Sequence, residues 1–191
     1  MVSDRLARLM KRRPVLSTLP TFDKDDDALQ VVIETPKGSH NKYDYNPSTD
    51  CFELAKVLPE GMTFPYDFGL IPSTLGDDGD PLDILVLLDF PAIAGCLLKA
   101  RLIGAIQAKQ KDKGESWERN DRLIAVAEHA HSHEDIRQLH DLQPRLLQEL
   151  KDFFVEYNKL DGKKFKPLRD CNAKHATKLV RRGIQKFKKA S

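Results

Sequence analysis

An unbroken apolar run at residues 84–88 (ILVLL) follows directly behind an acidic turn at residues 77–83 (DDGDPLD). Such a run is typical of a strand buried on both faces, so the fold must cover both sides of it. Gly79 permits a sharp change of direction, and Pro81 fixes its own φ angle. The turn carries four carboxylates, those of Asp77, Asp78, Asp80 and Asp83. We therefore expect a cluster of acidic side chains at the mouth of a buried strand.

Carboxylates crowded into one turn repel one another, and each raises the pKa of its neighbours unless a cation compensates. The oxygens of Asp78, Asp80 and Asp83 can converge on one point. Hard oxygen ligands of this kind suit Mg²⁺ or Mn²⁺ far better than Zn²⁺. The alternative is an acidic surface turn without a ligand, but this turn holds more charge than a turn requires. The sequence therefore predicts a divalent-metal site.

The chain divides near His133 into a strand-rich part and a helical part. Before this residue the apolar patterns are short and separated by turn residues. The predicted strands cover residues 29–34, 42–45, 51–58, 84–88, 97–107 and 123–127, with a polar loop at 109–120. Apolar residues then recur at helical spacing over 146–157, with Pro144 suited to the first turn. Asn172 is placed to cap a final basic helix.

This order of elements favours an α+β fold, in which short, curved strands are followed by helices. The specific expectation is a five-stranded OB-like closed β-barrel with two flanking α-helices. A chain of 191 residues fits one compact domain. We expect that domain to occupy residues 29–191. It is preceded by an N-terminal extension, residues 1–28, with a short basic helix from Ser3 through Arg12 and a flexible lead-in.

Composition and charge exclude several classes of function. The chain has 31 Lys and Arg against 29 Asp and Glu, so its net charge of +2 does not call for a nucleic-acid partner. Only Phe165 and Phe187 punctuate the basic C-terminal stretch, and no aromatic-rich strand face is visible. Three scattered cysteines indicate neither a disulfide framework nor a zinc site. Without a bilayer-spanning stretch or a secretion signal, we expect a cytoplasmic protein with no nucleic-acid or membrane partner.

Cations at the ends of predicted strands accompany the acidic turn. They are Lys42, Lys56, Arg101 and Arg122. Taken singly, each is typical of a solvated surface charge. Together with metal ions held by carboxylates, they form the usual equipment for phosphoryl transfer to water.

Several segments extend this interpretation. Residues 78–84 (DGDPLDI) have the pattern Asp-x-Asp-Pro-apolar-Asp-apolar. The other segments are VIETP at 32–36, KYD at 42–44, FPYDFGLIP at 64–72, RLIG at 101–104, DRLIAV at 121–126 and FFVEY at 153–157. In this order and spacing, over residues 29–166, the chain resembles the soluble family I inorganic pyrophosphatases. The resemblance implies an OB-like barrel and Mg²⁺-dependent hydrolysis of pyrophosphate to two orthophosphates.

The resemblance also implies a set of metal-binding groups. Asp78, Asp80 and Asp83 would ligate the metals, and Glu34 would join them with Asp44 nearby. Water bridging two metals would become a hydroxide nucleophile, oriented by Asp80 as the catalytic base. The implied cofactor is Mg²⁺, with Mn²⁺ or Co²⁺ as alternatives.

Phosphate-binding groups follow from the same resemblance. Lys42, Lys56, Arg122 and Tyr157 would bind the substrate and stabilise charge on the leaving group, with Lys42 and Tyr157 counted as catalytic. The implied partners are pyrophosphate and further copies of the chain, as a hexamer or a dimer.

The chain departs from the family pattern at several of these positions. The expected phosphate-binding tyrosine is Phe68, and the expected arginine is Lys56, which cannot bind phosphate bidentately. The lysine expected at the end of the helix is Asn158, and Asp44 is one methylene shorter than the usual glutamate. We expect a weaker grip on phosphate, visible as a higher KM or a changed metal preference.

The loop before residues 121–126 carries the largest departure, because the family places two further metal-binding aspartates there. The second position is Asn120, whose amide oxygen is a weaker, neutral ligand. The candidates for the first position are Asp112, Glu115 and Glu118, of which we favour Glu118. Asp121 could instead swing inward, although alternation with Arg122 argues against this. The expected metal set therefore includes Glu118 and Asn120.

Two other functions are alternatives to pyrophosphate hydrolysis, and one further motif is a candidate for a metal site. A related phosphohydrolase could act on a larger phosphoanhydride, since the phosphate-binding groups are partly replaced. A non-catalytic OB-like module that binds nucleic acid is the other alternative. His129, His131 and His133 alternate as in a transition-metal site, but an exposed loop is the favoured reading, and they are left out of the site.

Overall fold

The computed structural model describes residues 15–190. The strands are β1 Leu29–Thr35, β2 Asn41–Asn46, β3 Cys51–Val57, β4 Asp67–Ile71, β5 Leu82–Leu87, β6 Leu97–Lys111, β7 Glu118–Arg119, β8 Arg122–Ala127 and β9 Lys164–Asn172. The helices are α1 Pro144–Lys159 and α2 Ala173–Ala190, and short 3-10 turns occupy Leu16–Thr18 and Leu139–Asp141. The predicted α+β class is confirmed as a mixed sheet with two α-helices over these residues.

The main sheet contains seven strands, and β2 and β3 pair separately as a hairpin. The hydrogen-bonded strand order of the main sheet is β1-β4-β5-β8-β6-β7, and β9 pairs with β6. β1 pairs with β6 as well as with β4. β5 and β8 run parallel, whereas the other pairs are antiparallel. The strand that follows the acidic turn therefore lies in the interior of the sheet.

Burial confirms the prediction for four residues of the apolar run, while the fifth, Leu88, is half-buried and follows the end of β5. Ile84, Leu85, Val86 and Leu87 are all 0% exposed, because β5 lies between β4 and β8 and both of its faces are covered. The two helices supply apolar side chains to the same core: Leu150 and Phe154 from α1, and Ala176 and Val180 from α2. The acidic turn is thus anchored to a strand whose last four residues are fully buried.

Both helices begin as their sequence signals predict. Pro144 is the first residue of α1, where its missing N–H costs nothing. The side-chain oxygen of Asn172 accepts a hydrogen bond from the amide of His175 at 3.0 Å, which caps α2.

Three strands, β4, β7 and β9, were not predicted, and β6 runs further than expected. β4 lies in the aromatic segment, and β9 lies in a stretch of exposed lysines without an apolar alternation. The expected loop at 109–120 is wrong at its ends, because β6 extends to Lys111 and β7 folds back so that Arg119 pairs with Lys109. Pairing between strands, rather than local pattern, creates these elements.

Residues 15–28 pack along the main sheet. The hydroxyl of Thr21 donates to the carbonyl of Pro72 at 2.8 Å, and the amide of Ser73 donates to the carbonyl of Ser17 at 2.7 Å. Lys99 pairs with Asp26 at 2.8 Å. The helix predicted at residues 3–12 lies outside the described residues. Across residues 15–190, no helix is both long enough and apolar enough to cross a membrane.

Candidate functional site

The acidic turn joins β4 to β5, and Gly79 takes a positive φ of 90° at its tip. The amide of Asp80 donates to a carboxylate oxygen of Asp78 at 3.3 Å. Burial, followed by the charge of Asp83, raises the pKa of both Asp78 and Asp80. The three carboxyl groups therefore lie close enough to repel one another, which a bound cation would relieve.

A buried arginine stands beside this turn. Arg122 begins β8, is 4% exposed, and pairs through its guanidinium with the carboxylate of Asp83 and the amide oxygen of Asn120. The guanidinium carbon lies 5.0 Å from the ring centroid of Phe154 and 5.3 Å from that of Phe165. Its Nε has no hydrogen-bond partner within residues 15–190. Aromatic packing thus holds a cation at the site with donor capacity to spare.

A buried lysine and two carboxylates approach from β1 and β2. The ammonium of Lys42 pairs with Asp44 and lies 3.7 Å from a carboxylate oxygen of Glu34. It also lies 4.8 Å from the ring centroid of Phe68. Burial raises the pKa of Glu34 to about 7, and this effect outweighs the opposing pull of Lys42 and of the Tyr45 amide.

A second lysine lies beside the tyrosine of α1. Lys56 on β3 is directly opposite Lys42 on β2, so both side chains share a face of the hairpin. The ammonium of Lys56 pairs with Asp161 and lies 4.1 Å from the ring centroid of Tyr157. Burial, followed by the charge of Asp44, raises the pKa of the Tyr157 hydroxyl.

Ring contacts link these groups, because Lys42 lies over Phe68 and Arg122 over Phe154, and the centroids of the two rings are 6.1 Å apart. The charges of Asp83 and Asp44 both contribute to the raised pKa of Asp80. The pKa of Tyr157 responds to Asp44 and Arg122 as well. The structure therefore brings together the acidic turn, the β2–β3 hairpin, the start of β8 and the end of α1.

Other predicted residues lie elsewhere. Glu118 is exposed on β7 opposite Gln110, and within residues 15–190 no hydrogen bond or ion pair joins it to the acidic turn. The carboxylate of Asp121 accepts from the Ala108 amide at 3.0 Å and from Arg119. Asp112 pairs with Lys163 at 3.3 Å. Within residues 15–190, Asn120 reaches the carboxylate cluster through its hydrogen bond with Arg122, whereas Asp121 lines the same cavity as Asp78 and Asp83 but is held by Ala108 and Arg119.

The donor set fits a hard divalent cation, because it consists of carboxylate oxygens whose pKa values are raised by burial and mutual repulsion. In the part of the chain that the structure describes, no three His, Cys, Asp or Glu side chains form a ready-made metal site. One carboxylate of the acidic turn, that of Asp83, is instead paired with Arg122.

Two side chains at positions that differ from the family pattern pack inside the protein. The side chain of Asn158 is 3% exposed and donates back to the carbonyl of Phe154 at 2.8 Å. Phe68 packs among aromatic rings, 5.8 Å from Phe64 and 6.1 Å from Phe154. Neither places a phosphate donor in the cleft.

One site residue was missed by sequence reasoning. Asp161 pairs with Lys56 across 105 positions of the chain, from the turn after α1 to the β2–β3 hairpin. No local pattern marks it, since only the packing of α1 brings the two segments together.

Crowded carboxylates that face buried cations at the end of a sheet strand define a class of site, one that handles phosphate groups with divalent metals. The family described as inorganic pyrophosphatase matches residues 31–188. The chain belongs to this family.

Individual relatives agree with this assignment. The inorganic pyrophosphatase of Thermus thermophilus is 35% identical over 176 residues, which cover 91% of this chain and 98% of that protein. The inorganic pyrophosphatase of a Nostoc species is 34% identical over 173 residues, covering 91% and 99%.

Solved structures show the same fold. The crystal structure of the Thermus thermophilus inorganic pyrophosphatase superimposes with a TM-score of 0.83 at 34% identity and covers 91% of this chain and 99% of that one. The structure of an inorganic pyrophosphatase from Neisseria gonorrhoeae has a TM-score of 0.79 at 29% identity, covering 89% and 96%.

Proposed function

We propose that this protein hydrolyses inorganic pyrophosphate to two orthophosphates with the help of divalent metal ions. The observation that carries the proposal is the acidic turn held opposite two buried cations, Lys42 and Arg122. Its carboxylates suit metal ions, and its cations suit phosphate oxygens. The names and the extensive coverage of the Thermus and Nostoc relatives support the same activity.

The metal-binding groups would be carboxylates and one amide. Asp78, Asp80, Asp83 and Glu34 would hold the ions, with the amide oxygen of Asn120 completing the proposed set. The expected ligand Glu118 is left out of this set, because β7 holds it opposite Gln110 and away from the acidic turn. Mg²⁺ is the proposed cofactor, and Mn²⁺ or Co²⁺ are alternatives. When bound, such ions lower the pKa of water and stabilise developing negative charge.

The remaining roles belong to side chains of the cleft. Asp80 would orient the attacking water and accept its proton. Lys42, Lys56, Arg122 and Tyr157 would bind the phosphate groups and stabilise the leaving phosphate. Lys56 and Tyr157 lie together, so they would contact the same end of the substrate. Burial of Lys42 and Arg122 excludes water and strengthens their interaction with an anion.

The finer architecture is also proposed. We infer that β1, β4, β5, β8 and β6 form a five-stranded OB-like closed β-barrel flanked by α1 and α2. The pairing of β1 with both β4 and β6 supports this. Residues 29–191 would be the catalytic domain and residues 1–28 its N-terminal extension. A cytoplasmic homo-oligomer, a hexamer or a dimer, completes the proposal.

Phosphate release from pyrophosphate with Mg²⁺, Mn²⁺ or Co²⁺ tests the function. We expect Asp80→Asn to lower kcat by about a hundredfold or more, because the variant loses a proton acceptor. Asp77→Asn is the matched control, since Asp77 belongs to the same turn but pairs with Lys186.

Two results would contradict the proposal. One is equal activity of Asp80→Asn and Asp77→Asn, which would remove the assigned base. The other is faster phosphate release from tripolyphosphate or a nucleoside triphosphate than from pyrophosphate, which would indicate a different substrate.

A further inference from the structure

Four lysines gather on one face of the sheet formed by β6, β7 and β9. Across the β6–β9 pair, Lys109 lies opposite Lys166 and Lys111 lies opposite Lys164. Directly opposed residues of an antiparallel pair share a face. Lys164 and Lys166 are exposed, and Lys109 and Lys111 are half-buried. We call these four side chains the lysine face.

The lysine face is separate from the buried cations of the candidate active site, although Arg119 beside it borders the cavity that Asp78 and Asp83 line. Phe165, between Lys164 and Lys166, is buried on the opposite face, where its ring centroid lies 5.3 Å from the guanidinium carbon of Arg122. Among residues 15–190, none of the ion pairs involves a member of the lysine face. Its four charges therefore form no ion pair with a carboxylate of the described chain.

The only tryptophan of the sequence lies against this face. Trp117 is 39% exposed, and its ring lies 4.7 Å from the ammonium of Lys109 and 5.6 Å from that of Lys111. Arg119 on β7 lies opposite Lys109 and so shares the face. Cations and an aromatic ring are thus combined on one exposed surface.

We propose that the lysine face and Trp117 bind single-stranded nucleic acid. Lysines two residues apart on a strand are spaced by about 7 Å, which allows one chain of phosphates to contact several of them. An exposed indole offers a stacking surface for an unpaired base. Inorganic polyphosphate would use the lysines but gain nothing from the indole, so the aromatic ring favours nucleic acid.

This reverses the expectation of no nucleic-acid partner. That expectation depended on a net charge of only +2, on a basic stretch with few aromatic residues and on the absence of an aromatic-rich strand face. β9 was not predicted, and it is the strand that brings Lys164 and Lys166 beside Lys109, Lys111 and Trp117.

Intrinsic fluorescence tests the proposal directly, because Trp117 is the sole tryptophan. Titration of the full chain with an oligothymidylate of about 12 nucleotides should quench the emission saturably. If four phosphates are neutralised, the logarithm of the binding constant should fall with the logarithm of salt concentration with a slope of about −3. No saturable quenching, or tighter binding of duplex than of single strand, would overturn the proposal.

Variants separate stacking and charge from non-specific attraction. With a labelled oligothymidylate, Trp117→Ala should weaken binding roughly 5- to 150-fold, since it removes one stacked base. Lys109→Gln combined with Lys166→Gln should weaken it and flatten the salt dependence. The control combines Lys188→Gln with Lys189→Gln, which removes the same charge from α2 and should change little.

Pyrophosphate hydrolysis by each variant reports that the chain is folded. Equal weakening by the α2 control would indicate attraction by overall charge and contradict a defined face. Polyphosphate binding as tightly as the oligonucleotide, with no effect of Trp117→Ala, would identify a plain polyanion surface instead.

Discussion

The carboxyl group of Glu34 is nearly withdrawn from water, and burial raises its pKa from 4.5 to about 7. A raised pKa means that the folded state binds the proton more tightly than the unfolded chain does. The free energy of unfolding should therefore fall as pH rises from about 4.5 to about 7 in metal-free protein. We expect Glu34→Gln to flatten this slope.

Denaturant unfolding with a chelator present, at several pH values across that range, measures the effect. Glu53→Gln on β3 is the control, because it removes a carboxyl group from a more exposed position. An unchanged slope in Glu34→Gln would show that another group causes the pH dependence.

Asn120 occupies a position where a carboxylate is expected, beside Asp83 and Arg122. We expect Asn120→Asp to lower the Mg²⁺ concentration required for half-maximal activity by about tenfold, since a charged oxygen binds the ion more strongly than a neutral one. Gln185→Glu adds the same charge on the exposed side of α2 and should leave the Mg²⁺ dependence unchanged. If Asn120→Asp requires as much Mg²⁺ for half-maximal activity as the unmodified protein, Asn120 does not face the metal.

At the level of residues, the acidic part of the candidate site was predictable because its carboxylates lie close together in the sequence. Asp78, Asp80 and Asp83 lie within one turn, and the structure places them together. Contacts across long separations were not predictable. The pairing of Arg122 with Asp83 depends on β5 lying beside β8, which no local pattern reveals.

At the scale of elements, the ion pair between Lys56 and Asp161 connects the β2–β3 hairpin to the turn after α1. A phosphate group must compete with Asp161 for Lys56. We expect Asp161→Asn to lower KM for pyrophosphate severalfold with little change in kcat. The free energy of unfolding should change by less than about 1 kcal/mol, because the pair is partly exposed.

Steady-state kinetics separates the two parameters. Asp170→Asn is the matched control, since it breaks the comparable pair with Lys151 away from the cleft. An equal fall in KM in both variants, or a rise in Asp161→Asn, would argue against competition for Lys56.

Burial alone did not decide which elements were predictable, since the mostly exposed β3 was predicted and the fully buried β4 was not. An apolar run predicts β5, and a capping residue and helical spacing predict α2. β9 shows six exposed positions in nine, so its sequence resembles a loop. It becomes a strand because residues 104–111 of β6 pair with it.

At the scale of the whole molecule, the approach of β1 to β4 depends on a glycine. A Cβ added at Gly69 would overlap the carbonyl oxygen of Val32. We expect Gly69→Ala to lower the free energy of unfolding by about 1–3 kcal/mol or more, since the two strands must separate. Gly61→Ala, at an open position with a positive φ, should cost only about 1–2 kcal/mol from backbone strain.

Urea unfolding measures both losses. Activity at the cleft should fall in Gly69→Ala as well, because β1 carries Glu34 and β4 leads into the acidic turn. Equal stability of Gly69→Ala and the unmodified protein would mean that β1 and β4 can move apart without cost.

The pairing of Leu29 in β1 with Ala100 in β6 has a consequence for the nascent chain. β1 leaves the ribosome long before the strand that covers its second edge has been synthesised. During that interval β1 can pair through β4 on one side, while its other edge stays open to neighbouring chains. We expect the translation rate between the codons of β4 and β6, and the availability of chaperones during that time, to determine the fraction of the protein that aggregates.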